Sequence, residues 1–383
     1  MLPKGTFRIL VKTMHGLENV LIRELHELGA TNLVSQRRAV SADTNWEGVY
    51  RINLCTRLGL RVLIPIREFK AKSPDELYGI VRKMGWEQLI SLRSSFAIDA
   101  TVNSEYFAHS KYTALKCKDA IVDRLRHVSG DRPDVDTRRP DIRLNLHISH
   151  ENVTISIDSS GESLHKRGYR KGHTQAPINE VLAAGILALA GWEGQSDFLD
   201  PMCGSGTFLI EAAMRARNIP AGIMRDRFGF MHWENYDEQM WERIKEEALG
   251  NEKPFEHVIR GFDLSDIAID KAMQNVTNAL LDDEIRLGRK NFFETESLDK
   301  PYFIVTNPPY NERLPVMEKE FYKKLGNTLK FKYPGSTAFI YTASVDGIKS
   351  LGLRPSKKQT LYNGSLEGKL LKIELYAGSR KSN

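Results

Sequence analysis

Leu199-Asp200-Pro201-Met202-Cys203-Gly204-Ser205-Gly206-Thr207-Phe208-Leu209-Ile210-Glu211-Ala212-Ala213-Met214 reads as strand, glycine turn and helix. Phe198 and Leu199 close a short apolar run, and Asp200 then stands at the strand's C-terminal end. Gly204 and Gly206 let the backbone turn tightly and approach a ligand with no Cβ in the way. Thr207 is placed to cap a helix whose Phe208, Leu209, Ala212 and Ala213 share one face. In an open α/β sheet, ligands bind in the crevice beyond the strand C-termini. A carboxylate there, beside exposed backbone N–H groups, suits a ligand carrying both an ammonium and a carboxylate. Leu209 takes the place of the third glycine in Gly-x-Gly-x-x-Gly, which disfavours a dinucleotide.

A second motif, Thr306-Asn307-Pro308-Pro309-Tyr310, follows the apolar run Tyr302-Phe303-Ile304-Val305 roughly a hundred residues downstream. Together the two stretches resemble motifs I and IV of class I S-adenosylmethionine-dependent amino-methyltransferases, and their order fits the first and fourth strands of that fold. The resemblance implies an α/β chain: a seven-stranded class I (Rossmann-like) methyltransferase domain with S-adenosyl-L-methionine as cofactor. Its expected cofactor residues are Asp200, Pro201, Met202, Cys203, Gly204, Ser205, Gly206 and Thr207 in the turn, with Asp263, Leu264, Asn291 and Phe292 further on. Asp263 ends the apolar run from His257, where a carboxylate can accept from two ribose hydroxyls. Asn291-Phe292-Phe293 stands where the family usually has Asp-Phe-Phe to meet the adenine.

Methyl transfer to an exocyclic amine is hard because the nitrogen lone pair is conjugated into the base. Two acceptors aimed at the amino hydrogens expose that lone pair. The side-chain oxygen of Asn307 and the carbonyl of Pro308 can serve, with φ fixed by Pro308 and Pro309. Tyr310 can stack on a base taken out of its helix. Catalysis of this kind is positioning and oriented dipoles, and no metal is called for. Carbon methylation of a pyrimidine needs an attacking cysteine, and Cys203 lies inside the cofactor turn instead.

The rest of the chain indicates the partner. The net charge is +6, and residues 1–160 carry 24 Lys and Arg against 19 Asp and Glu, leaving 31 against 30 beyond them. That bias favours a polyanion gripped by the N-terminal half. Three dispersed cysteines argue against a disulfide framework or a zinc cluster. With no apolar run of membrane-spanning length and no signal peptide, the expected home is the cytoplasm and no membrane partner is expected. Residues 1–65 read as a small ferredoxin-like α+β region. Residues 66–160 include a basic amphipathic helix over Tyr112–Arg126, with Lys111, Lys116, Lys118, Arg124 and Arg126 as its charge, and a closing hairpin at His150-Glu151-Asn152.

Around Lys118-Asp119-Ala120-Ile121-Val122-Asp123 this second region resembles a THUMP domain, an RNA-binding module. Residues 161–175 read as a basic linker, with Lys166, Arg167, Arg170 and Lys171 expected to touch RNA, and 176–383 as the methyltransferase domain. Residues 218–256 insert a Trp- and Met-rich segment whose Trp233 and Trp241 read as a helical packing face, with a base-stacking platform as the alternative. The whole chain resembles the THUMP-containing guanine-N2 RNA methyltransferases, particularly the bacterial 23S ribosomal RNA type, which implies RNA as substrate. Methylation of transfer RNA, adenine-N6 methylation of DNA and a non-catalytic RNA-binding assembly factor are the alternatives. Asn291, Ser265 and Asn311 depart from the family pattern.

Overall fold

The computed structural model describes residues 2–170, 177–296, 300–309 and 315–376. The chain divides into two compact units that exchange segments along the sequence. The first comprises the chain up to Thr13, Leu21–Leu164 and Arg225–Glu246; the second comprises Met14–Val20, His165–Met224 and the chain from Glu247 on.

In the first unit seven strands form one sheet: β1 (Phe7–Lys12), β2 (Thr31–Gln36), β3 (Ala39–Thr44), β4 (Arg61–Lys70), β5 (Phe96–Asn103), β6 (Ile142–Ser149) and β7 (Asn152–Asp158), in the order β2-β3-β1-β4-β7-β6-β5. Ile9 and Val11 alternate inward on β1, as the period of two requires. Helix α1 (Glu18–Glu27) begins in the second unit's short segment. Helices α2 (Trp46–Cys55), α3 (Pro74–Arg82) and α4 (Ser110–Ser129) complete the N-terminal half. Ser73 caps α3 by accepting from the Glu76 N–H at 3.2 Å, with Pro74 at the first helical position. The expected division at 65/66 falls inside β4, which pairs with β1 at its start and with β7 along the rest. The register of that second ladder shifts between Pro65 and Arg67. A proline without an N–H is tolerated in a central strand at such a bulge.

The Trp-rich insertion packs within this first unit. Phe230 stacks on Tyr50 with centroids 4.3 Å apart, and Trp233 and Trp241 are buried. The packing-face reading of these aromatics therefore describes them, although they pack outside the unit that surrounds them in sequence.

The second unit carries α5 (Glu180–Ala190), β8 (Phe198–Asp200), α6 (Thr207–Ala216), β9 (Ile259–Asp263), α8 (Asp266–Asn278), β10 (Ile285–Arg289), β11 (Phe303–Thr306), α9 (Pro315–Lys332), β12 (Thr337–Thr342), α10 (Val345–Ser350), β13 (Lys357–Asn363) and β14 (Leu366–Glu374), while α7 (Glu238–Gly250) crosses from one unit to the other. Its sheet runs β10-β9-β8-β11-β12-β14-β13, parallel except for β14, which is antiparallel to both neighbours. This is the seven-stranded class I order. β8 and β11 are apolar and buried because helices cover both faces of a parallel sheet. The order reverses at β8, which lies between β9 and β11, so a crevice opens beyond its C-terminal end. Among the described residues no helix is long and apolar enough to cross a membrane.

Candidate functional site

The turn between β8 and α6 is stitched to the end of β9. The Cys203 N–H donates to the Phe262 carbonyl at 2.8 Å, and the Gly204 N–H donates to Asp263 Oδ2 at 3.0 Å. Asp263 Oδ1 accepts from the Ser265 N–H at 3.0 Å, so both carboxylate oxygens are oriented and each keeps a free lone-pair direction. Ser265 in turn caps α8 by accepting from the Ala268 N–H, which explains a short hydroxyl side chain at this departure from the family pattern.

Gly204 and Gly206 take φ of 52° and 81°, the left-handed region. A Cβ on Gly204 would meet nothing within 4 Å and would project into open space, as expected of a backbone cradle. The helix starts one residue earlier than expected: Gly206 occupies the N-cap position and Thr207 is the first helical residue. Thr207 therefore does not cap α6, and its hydroxyl instead accepts from Arg170 at 2.7 Å. From the other side Asn275, buried on α8, donates to the Ser205 carbonyl at 3.0 Å.

A cavity of about 710 Å³ lies over this turn. Of the expected cofactor residues, Asp200, Pro201, Met202, Cys203, Gly204, Ser205, Thr207, Asp263, Leu264, Asn291 and Phe292 line it, whereas Gly206 does not. Asn307 and Pro309, just beyond the end of β11, line the same cavity, and Pro308 is buried and does not line it. Tyr310 lies outside the described residues, as do Lys171 and Asn311. The buried Oδ1 of Asn307 has no hydrogen-bond partner among the described residues. An unmade bond at a buried acceptor costs about 1–3 kcal/mol.

Phe293, part of the Asn291-Phe292-Phe293 stretch, lines the cavity as well; Ile178, Lys290 and Phe321 also line it and carried no signal in the sequence beyond apolar or charged character. Asn291 was expected to accept from an adenine. Its Oδ1 already accepts from the Phe293 N–H at 3.1 Å, and its amide donates to Glu294 at 2.8 Å. One lone pair of that oxygen remains for a ligand.

Burial pushes the Asp200 carboxyl up to about 7; the Met202 N–H opposes the shift and the Asp263 charge adds to it. An incoming cation would restore its ionised form. The Cys203 thiol is raised by burial and by both carboxylates, so it stays protonated and is no nucleophile.

The basic segment expected to touch RNA is turned inward. Arg167 is only 2% exposed, and its Nε lies 3.3 Å from Glu211 Oε1. Arg170 pairs with buried Glu180 at 3.0 Å. Neither guanidinium is free for phosphate, because leaving such a buried carboxylate unpaired costs more than a surface contact returns. The RNA-contact expectation is therefore corrected for Arg167 and Arg170; Lys166 alone of the described set is exposed. Within the first unit, a groove of about 600 Å³ is lined by Lys116, Lys118, Arg126 and Arg132, with Asp119, Asp123 and Asp134 between them. Lys116 and Lys118 pair with Asp75 and Asp119, each at 2.9 Å, through exposed bridges that are cheap to exchange for phosphate. Among the described residues no cluster of three or more His, Cys, Asp or Glu could hold a metal ion.

Comparison with known proteins agrees with this geometry. The RMKL-like methyltransferase domain matches residues 167–372, the THUMP domain 71–158 and the RlmL ferredoxin-like domain 8–63. A Synechocystis protein, provisionally named an RNA methyltransferase, is 36% identical over 94% of this chain and 95% of its own length. Ribosomal RNA large subunit methyltransferase K/L of Syntrophotalea carbinolica is 38% identical over 94% of this chain but 52% of its own. The chain spans about half the length of the relatives that bear that name.

Among solved structures, a possible methylase from Clostridium difficile superimposes with a TM-score of 0.87 at 30% identity, covering 98% of this chain and all of that one. A provisionally assigned methyltransferase complexed with SAH gives 0.86 at 31%, covering 99% and 100%. A Listeria monocytogenes protein, assigned by prediction as an N6-adenine-specific DNA methylase, gives 0.85 at 29%, covering 98% and 97%.

Proposed function

The chain belongs to the RMKL-like methyltransferase family, and from that premise we propose that it transfers a methyl group from S-adenosylmethionine to an exocyclic amine of RNA, with guanine N2 of 23S ribosomal RNA as the target. The observation that carries this reading is the buried Oδ1 of Asn307, without a partner among the described residues, on a side chain that lines the same cavity as Asp200 and Asp263.

The residues present fit the cofactor. Gly204 leaves open space for close backbone approach, and Asp200 offers a buried carboxylate for a cation. Asp263 offers two oriented oxygens for hydroxyls, and Phe292 with the exposed rim at Leu264 and Ile267 offers apolar walls for a base. When bound, S-adenosylmethionine supplies an electrophilic methyl group. Asn307 Oδ1 and the Pro308 carbonyl accept from the amino group and turn its lone pair outward, and the paired prolines hold that carbonyl in place. Tyr310, outside the described residues, is the side chain proposed to stack on the base. The neutral Cys203 thiol takes no part.

The THUMP match and the exchangeable lysine pairs along the α4 groove favour RNA as substrate, with residues 1–160 engaging it and 176–383 holding the cofactor. The segment Arg225–Glu246 stays with the first unit, so the two activities belong to the intact chain. The Listeria relative's name bears on a second reading, adenine-N6 methylation of DNA, because the same acceptors suit either amine. Labelled S-adenosylmethionine offered with unmodified 23S RNA or with duplex DNA decides between them. Transfer to RNA is expected, and transfer to DNA alone would overturn the proposal.

A further inference from the structure

The structure assigns Arg170 a positioning role: its guanidinium braces two walls of the cofactor cavity, an inference that rests on the methyltransferase function proposed above. One side of the fork donates to the Thr207 hydroxyl at 2.7 Å, and the other pairs with Glu180 Oε1 at 3.0 Å. Thr207 is the first residue of α6 and lines the cavity. Glu180 is the first residue of α5, directly after Asn179, and Pro177 and Ile178 just before it line the cavity too. One side chain, 16% exposed, thus ties together the starts of both helices.

The position is an unusual one for a cation. Helix N-termini carry partial positive charge, so the macrodipoles disfavour a guanidinium there. Glu180, 4% exposed, supplies the compensating charge, and its own carboxyl is raised by burial and lowered by Arg170. A planar fork can reach both partners at once, which a lysine's single ammonium does not.

The preceding residues anchor the brace. Arg167 and Tyr169 both reach Glu211 Oε1, one turn along α6 from Thr207. Gly168 has φ of 109°, and a Cβ on it would lie 2.1 Å from the Met224 carbonyl, so the chain is pressed against its support. Because α6 begins where the glycine turn ends, a shift of Thr207 moves the N–H groups of that turn. The segment that reads in sequence as an RNA-binding run is thereby built into the cofactor site.

The test uses the full chain and Arg170→Ala, Arg170→Lys and Glu180→Gln. Calorimetry with S-adenosylhomocysteine, binding of unmodified 23S RNA across a salt series, and separate KM and kcat values for the cofactor are read for each. Arg170→Ala should weaken S-adenosylhomocysteine binding about 10- to 100-fold, the scale of losing hydrogen bonds to a charged group. Arg170→Lys should recover part of that loss, and kcat at saturating cofactor should stay near wild type. RNA affinity and its salt slope should be unchanged. Where Arg170→Ala does not fold, Glu180→Gln keeps the shape and should reproduce the rise in cofactor KM.

Unchanged S-adenosylhomocysteine affinity with weaker, less salt-dependent RNA binding would overturn the inference and return Arg170 to the RNA surface. A fall in melting temperature and kcat with cofactor KM unmoved would reduce Arg170 to a structural residue. A wild-type chain that fails to bind S-adenosylhomocysteine would overturn the methyltransferase reading itself, whereas equal binding by wild type and variants overturns only the brace.

Discussion

Two regions, the strand ends of the second sheet and the surface around α4 in the first unit, arrange their polar groups in opposite ways. In the second sheet, the C-terminal ends of β8, β9 and β11 bring together a buried carboxyl raised to about 7, an oriented Asp263 and an amide oxygen with no partner among the described residues. In the unit of the first sheet, the charges around α4 lie at the surface in pairs such as Lys116–Asp75 and Lys118–Asp119. Buried groups that stay unsatisfied store interaction free energy for an incoming ligand. Exposed pairs store almost none, but they exchange partners at little cost and suit a polyanion. On the function proposed above, chemistry belongs to the parallel sheet and grip to the largely antiparallel one.

The sharpest way to break this contrast is Asn307→Ala. It removes one preorganised acceptor and should cost about 100- to 1000-fold in single-turnover rate, with cofactor affinity intact. A rate within a few-fold of wild type would move the chemistry elsewhere. Asp263→Ala comes next and should weaken S-adenosylhomocysteine binding by about 1.5–3 kcal/mol, measured by calorimetry on a folded variant.

The Asp200 carboxyl makes the second sheet's site pH-sensitive. Its folded value near 7 lies above the unfolded value of 3.8, so protonation stabilises the fold. That contribution is complete below the unfolded value and is lost as the pH rises through about 7. Stability should thus decline across this window, and Asp200→Asn should flatten the decline in melting curves. A ligand that needs the ionised form should bind about tenfold more weakly for each unit below 7, with proton release visible in buffers of different ionisation enthalpy. The smallest effects belong to the first unit. Lys116, Lys118 and Arg126 changed together to Gln should reduce RNA affinity several-fold and lower its salt slope by about one for each phosphate no longer neutralised. Cofactor affinity should not move.

How far these features were legible in the sequence depends on where their causes lie. The β8–α6 turn and the Asn307-Pro308-Pro309 motif were readable because their causes are local: glycine φ values, a strand end and proline geometry. The seven-stranded fold was implied by the resemblance those motifs carry. The β2–β3 hairpin was not seen, since Thr31–Gln36 is exposed along almost its whole length and shows no alternation.

Arg167 and Arg170 misled because a buried ion pair and a solvated cation have the same letters; Glu211 and Glu180 decide between them only in three dimensions. Thr207 misled in a smaller way, because Gly206 tolerates the N-cap position and frees the hydroxyl for Arg170. The exchange of Arg225–Glu246 into the first unit was invisible for the same reason: Tyr50 and Trp241 are far apart in sequence and meet only on folding.

The central claim is methylation of an exocyclic amine of RNA at Asn307, and the identity of the product tests it most directly. Unmodified 23S RNA incubated with the full chain and labelled S-adenosylmethionine, digested to nucleosides and resolved by mass spectrometry, should yield N2-methylguanosine, which Asn307→Ala should nearly abolish. Label recovered as a carbon- or ribose-methylated nucleoside, or as N6-methyladenosine, would contradict it.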